Sequence, residues 1–184
     1  QEYRIPADKI HVVGSALKMS SDFPIDWHQR KKEIIFVTTD FKRKGGYLLL
    51  DVFERVLREV PDAILSIAGS VSPEIRKKAH PQIKFLGALN RAQLTELYKR
   101  ARIHVHKAFY DAFPSVILEA ANFEIPSVSS RVCGIPDMII DGETGFLVEK
   151  GNIQEFTERI VRLLKNDEMN IRMGKAAKEY VRGK

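Results

Sequence analysis

The chain has 184 residues, of which 44% are hydrophobic and 29% charged. That balance excludes a disordered or fibrous chain and fits one domain able to bury a continuous core. Thirty lysines and arginines against 24 acids leave a net charge of +6, which suits an anionic partner without naming one.

The start, "QEYRIPADKI", lacks the charged-then-apolar layout of a signal peptide. No apolar run approaches the roughly 18 residues that a membrane helix needs. The only cysteine, Cys133, cannot close an internal disulfide, so a reducing, cytoplasmic setting is expected. The basic residues are spread along the chain, with small clusters at "HQRKK", "KRK" and "IRKK". No aromatic RNA-binding motif, zinc-finger spacing or long basic arm accompanies them, so nucleic acid is not an expected partner and a solvated surface is the better reading.

In chain order, residues 1–32 read as a linker with a short strand around Ile10 to Val13, then a polar connector, "PIDWHQRKK". From Glu33 onward, β-branched runs alternate with helical patterns. "EIIFVTT" is a buried strand. "YLLLDVFERVLREV" carries Leu49, Val52, Phe53, Val56, Leu57 and Val60 as one helical stripe. "AILSIAG" and "IKFLG" are strands on either side of a short helix that Pro73 opens. Asn90, with Gln93 three residues on, marks a capping box. Then follow a strand at "IHVH", a helix at "PSVILEAANF", a strand at "SVSS", a mixed turn and strand pair in "GIPDMIIDGETGFLV", and two closing amphipathic helices. The rhythm predicts a Rossmann-like, doubly wound α/β domain over residues 33–184, its sheet mostly parallel with helices on both faces.

Such folds bind ligands outside the carboxyl ends of the strands. The glycine-rich and acid-bearing loops here all follow strands: "DFKRKGG", Gly69, Gly87, "KAFYDAFPS" and "RVCGIPD". "KRKGG" is not a P-loop, because the GxxxxGK[ST] order is missing. Gly45 and Gly46 nevertheless open a helix, where backbone amides could attract phosphate beside Arg43 and Lys44. Pro114 and Ser115 open a second helix. Asp111 and Glu119 stand eight positions apart across that second start. Asp111 reads either as a cap with Glu119 on the solvated face, or as one of two acids turned to one ligand. A carboxylate would repel a diphosphate, so Glu119 suits sugar hydroxyls such as those of a ribose. His104 and His106 share a strand face at a spacing that a metal tolerates, but with no third ligand in view no metal site is expected.

Taken together, "KRKGG", "IKFLGAL", "YDAFPSVILEAANFEIPSV", "GIPDMIIDGETGFLV" and the closing helices resemble the donor-binding half of family 4-type (group 1) retaining glycosyltransferases. These have the GT-B architecture of two facing Rossmann-like domains. The resemblance covers the chain from about Ile34 onward. It implies that Glu119 holds the ribose of a UDP- or GDP-linked sugar, that Asp111 sits near the transferred sugar, and that Lys44 neutralises the leaving diphosphate. The Phe113, Pro114 and Ser115 backbone would face sugar and phosphate. Gly87, Ala88 and Leu89 would frame the base, while Arg43, Gly45, Gly69 and Gly134 border the donor.

It further implies metal-independent transfer of a hexose to a glycan or lipid-linked acceptor, with no cofactor beyond the nucleotide sugar. The acceptor would be held by a missing N-terminal domain, so that this half alone would be inactive. Lys165, Arg172, Lys175, Lys178 and Arg182 would suit peripheral contact with the cytosolic face of a membrane, although a solvated helix face is preferred.

The chain departs from the family pattern at four places. Asp111 stands where glutamate is usual, Thr38-Thr39 where Gly-Arg is common, Glu124 where glycine is usual, and Asp137 where glutamate is usual. Arg43 or Arg131 is expected to compensate for the missing arginine. The alternatives are a non-catalytic nucleotide-binding module with a degenerate site and a phosphorylase-type fragment, which would need a pyridoxal phosphate lysine that no motif supplies.

Overall fold

The computed structural model describes residues 6–9 and 25–183; the strand expected around Ile10 to Val13 lies outside them. Six strands form one sheet: β1 (Glu33–Val37), β2 (Ile64–Ala68), β3 (Ile83–Gly87), β4 (Ile103–His106), β5 (Ser127–Ser130) and β6 (Gly145–Val148). Every pairing between them is parallel, in the order β3-β2-β1-β4-β5-β6. The expected strand pair near the end of the sheet is therefore one strand, β6, beside β5. Six helices connect and close the sheet: α1 (Gly46–Glu59), α2 (Pro73–Lys78), α3 (Arg91–Arg100), α4 (Ser115–Asn122), α5 (Ile153–Lys165) and α6 (Asp167–Arg182).

Alternation along β1 explains why both faces are covered. Ile34 and Phe36 point to a core built with Leu49, Val52 and Phe53 of α1 and Phe156 and Ile160 of α5. Ile35 points the other way, to Leu97 and Tyr98 of α3 and Ala120 of α4. Ile34 to Phe36 are accordingly apolar on both faces, and burying a side chain such as Phe36 or Phe53 stabilises by about 2–3 kcal/mol.

Local chemistry sets the helix ends. Asn90 Oδ1 accepts from the Gln93 amide at 3.0 Å and Gln93 Oε1 from the Asn90 amide at 2.9 Å, the reciprocal cap that the spacing predicts. Helix α1 stops at Val60, the residue before Pro61, where helical backbone is disfavoured. Asn166 ends α5 and caps α6, its side chain accepting from the Met169 amide.

In the connector, Trp27 packs against the domain: the Arg30 guanidinium lies 4.0 Å from its ring centroid, and a side chain at Gly174 of α6 would meet it. Arg30 is buried. It donates to the carbonyls of Phe123 and Glu124 at 2.5 and 3.1 Å and to that of Lys99 at 3.2 Å, closing the C-terminal end of α4. Burial lowers its pKa to about 10, which leaves it charged at neutral pH.

From β1 the chain winds outward to β3, then returns to β4 and winds the opposite way. The loops after β1 and β4 are thus adjacent at the switch, and a crevice opens between them at the carboxyl ends.

Candidate functional site

The crevice is a cavity of about 560 Å³, within the range of small-molecule sites. Of the residues expected at a site, Lys44, Gly69, Ala88, Leu89, Asp111, Phe113, Pro114 and Ser115 line it. Ser70, Leu94 and Val116 join them without having been singled out, as do Thr38 and Thr39, named only as a departure from the family pattern. Ser70 reads as an ordinary loop residue, and Leu94 and Val116 as apolar positions of α3 and α4.

Lys44 and Asp111 come from the loops after β1 and β4, 67 positions apart, and their side chains form an ion pair in the wall of the cavity. Both are largely shielded, with 12% and 13% of their side-chain surface exposed. Behind them is His106, fully buried at the end of β4, its Nε2 2.9 Å from Asp111 Oδ2. Neither ring nitrogen of His106 makes an aligned hydrogen bond. Burial, with Lys44 nearby, pushes its pKa down to about 4, so the imidazole is neutral at pH 7. His104, one pleat earlier, is pushed to about 3 by burial, and its Nδ1 lies 3.0 Å from Ser127 Oγ. The two histidines lie on the same face of β4, both fully buried, their ring centroids 6.2 Å apart. Among the described residues, no three His, Cys, Asp or Glu side chains gather as a metal site.

Glu119 stands one helical turn behind the cavity lining. Its Oε1 accepts from Ser115 Oγ at 3.2 Å and its Oε2 from the Tyr98 hydroxyl at 3.1 Å. Burial, and then the carboxylate beside it, raise the Tyr98 pKa well above its ordinary value, so Tyr98 remains a donor. Sequence reading missed Tyr98, which lies inside a helix and looks like core, and weighed His106 only as a metal ligand.

The glycines act differently from expectation. The amides of Gly45 and Gly46 donate to the carbonyls of Lys42 and Phe41 at 3.1 and 2.8 Å, so the start of α1 does not aim them at the cavity. Gly45 has φ +76, and a Cβ there would overlap the Lys107 carbonyl oxygen. Its role is the close approach of the β1 and β4 loops that puts Lys44 beside Asp111. Gly134 supports the same loop from the other side, its amide donating to the Ala112 carbonyl at 3.2 Å. Gly87 does not line the cavity; its carbonyl accepts from the amide of Gly69, which does, at 2.7 Å.

The α4 start is the open one. Pro114 caps it one position earlier than expected, and the Ile117 amide donates to the Pro114 carbonyl at 3.1 Å. The amides of Ser115 and Val116 belong to the first turn, where a helix offers its own donors no acceptor.

Two expected compensations lie elsewhere. Arg131 pairs with Asp141 at 2.7 Å and Glu149 at 3.3 Å. Arg43 is exposed and donates to the Tyr110 carbonyl at 3.3 Å. Neither lines the cavity. Glu124 is at the far end of α4 with φ 55, a left-handed backbone that glycine adopts without strain. Its carboxylate meets Lys178 at 3.0 Å. This departure concerns how the helix ends, and leaves the cavity untouched.

Over residues 20–180 the chain matches the model of the glycosyl transferases group 1 family. It is 25% identical over 185 residues to the N-acetyl-alpha-D-glucosaminyl L-malate synthase of Bacillus anthracis, covering 97% of this chain and 48% of that protein. It thus spans about half the length of that relative. Among solved structures, the C-terminal domain of a group 1 family glycosyl transferase, LpcC from Francisella tularensis, superposes with a TM-score of 0.73 at 20% identity, covering 83% of this chain and 84% of that one. A TarM variant from S. aureus, solved with UDP, fondaparinux and alpha-GlcNAc-glycerol, gives 0.79 at 20% identity over 96% of this chain and 37% of that one. The Rossmann-like fold is thus the fold of these structures, and the chain belongs to the glycosyl transferases group 1 family.

Proposed function

We propose that this domain binds a nucleoside diphosphate sugar in the crevice and forms the donor half of a retaining, metal-independent hexosyltransferase. The observation that carries the reading is the convergence of Lys44 and the first turn of α4 on one cavity from loops far apart in the chain, with Glu119 one turn behind and bonded to Ser115 of the lining. Lys44 and the Ser115 and Val116 amides are positive groups suited to a leaving diphosphate. Such preorganised groups lower a barrier by stabilising charge as it develops. Glu119, held by Tyr98, presents an acceptor to ribose hydroxyls, and Ala88 and Leu89 offer an apolar wall to a base. The TarM variant binds UDP, which supports a nucleotide in the same crevice here.

The acceptor, a glycan or lipid-linked sugar, belongs to the part of the protein that faces this rim, so the chain alone binds donor without transferring sugar. We place the reaction in the cytoplasm, at or near a membrane surface. The lone exposed Cys133 supports a reducing compartment. Among the described residues no helix is long and apolar enough to cross a membrane.

Calorimetry with UDP, GDP and ADP tests the reading, and saturable binding of one of them without added metal is expected. Lys44→Ala should weaken that diphosphate by about 10–100-fold, the size of one lost charge-assisted hydrogen bond, while leaving the nucleoside unaffected. No binding of any of the three would overturn the proposal. A nucleotide-binding module that no longer transfers sugar is the second reading. The ion pair that ties up Lys44 favours it, and restoration of transfer by adding the facing half would end it.

A further inference from the structure

The cation that the donor reading assigns to diphosphate is already neutralised. Lys44 pairs with Asp111, both largely out of water, and a phosphate arriving there would meet a carboxylate of its own sign. Binding needs somewhere for Asp111 to go. His106 supplies it: fully buried, neutral, and with its Nε2 2.9 Å from Asp111 Oδ2, yet out of line for a hydrogen bond. Buried polar nitrogens seldom go without a partner, and one that does so beside a functional group asks for an explanation. Lys107, the next residue, points away from the cavity, its Nζ 4.3 Å from the Phe156 ring centroid, so the receiving group at this corner is the imidazole.

Resting on the assignment of diphosphate to Lys44, we propose that donor binding is a partner exchange: Lys44 leaves the Asp111 oxygen it shares with His106 for phosphate oxygens, and Asp111, already 2.9 Å from His106 Nε2, aligns onto it, which makes His106 a positioning residue for the donor. A neutral imidazole carrying its proton on Nε2 donates to the carboxylate, and the rotation needed is that of one short side chain. The shorter acid also fits the exchange. Asp111 reaches both Lys44 and His106 from one backbone position.

Binding of UDP and GDP, compared with UMP and GMP, to the unaltered chain and four variants tests the exchange. Asp111→Asn removes the competing charge and should tighten the diphosphate by about tenfold with little change for the monophosphate. His106→Leu removes the receiver and should weaken the diphosphate by about fivefold. His106→Gln, which keeps a donor, should restore it. In the Asp111→Asn background, His106→Leu should have no further effect, because the carboxylate it serves is gone. A merely structural role for His106 predicts the same loss in both backgrounds and for both classes of nucleotide. Diphosphate binding unchanged by Asp111→Asn overturns the exchange while leaving the donor reading intact. No diphosphate binding to the unaltered chain ends both. Should His106→Leu fail to fold, Asp111→Asn and His106→Gln still decide the matter.

Discussion

The two ends of α4 make opposite use of charged groups. At its C-terminal end, Arg30 is buried and gives hydrogen bonds to three carbonyls, while Glu124 meets Lys178. At its N-terminal end, Lys44, Asp111 and His106 crowd together, with the imidazole lacking an aligned partner and open cavity beside them. The satisfied end is what stability alone would select. The unsatisfied end is tolerated where a ligand can complete it. Between the two, Tyr98 and Ser115 hold Glu119 in place.

The contrast can be broken most severely at the satisfied end. Arg30→Met withdraws the donor from the Phe123, Glu124 and Lys99 carbonyls and should destabilise the chain by about 4 kcal/mol. Urea unfolding measures it. Nucleotide affinity of the folded protein should stay within twofold; a large loss would mean that the two ends are coupled.

Acid attacks the other end. His104 and His106 are held down to about 3 and about 4 by burial, from an ordinary value of 6.5. The unfolded chain therefore binds more protons than the folded one between those values. Their contribution is complete above about pH 6.5 and is lost as pH falls through about 4, a loss on the order of 3 kcal/mol for His106. Unfolding midpoints measured from pH 7 to pH 4 should fall accordingly, and His106→Gln should flatten the slope.

Tyr98→Phe sharpens the comparison at the middle of the helix. It leaves Glu119 with Ser115 alone and should weaken nucleoside and nucleoside diphosphate alike by about threefold to tenfold, the worth of one hydrogen bond. Titration of uridine or guanosine beside the diphosphate checks that equality. The smallest effect belongs to Glu124→Gly. Relief of a left-handed backbone, worth about 1 kcal/mol, is partly offset by the lost contact with Lys178. A net gain under about 1 kcal/mol is expected from thermal unfolding, with nucleotide binding unchanged.

Much of the architecture was legible without coordinates. The helical stripe of α1, the cap at Asn90 and the apolar strands are set by neighbours two to four positions away. Their periods of 2 and 3.6 residues are written directly into the order of side chains. The rim loops followed from the same alternation. Family resemblance added roles for Lys44, Asp111 and Glu119; the fold puts Lys44 and Asp111 in one cavity wall and Glu119 a helical turn behind the lining.

Contacts between distant segments were not legible. Whether Gly45 and Gly46 aim their amides at a ligand depends on the turn they close with Phe41 and Lys42. Whether Arg131 reaches the site depends on which acids β6 and its flanking turns bring beside it. The sequence alone determined an α/β chain with its functional loops on one rim, because secondary structure and its punctuation are local. Only the tertiary structure, through the strand order that puts β1 beside β4, decided that Lys44 faces Asp111 across 67 positions with His106 behind it. Electrostatic pairing falls off steeply with distance and deepens with burial, and both are properties of the fold rather than of the order of residues.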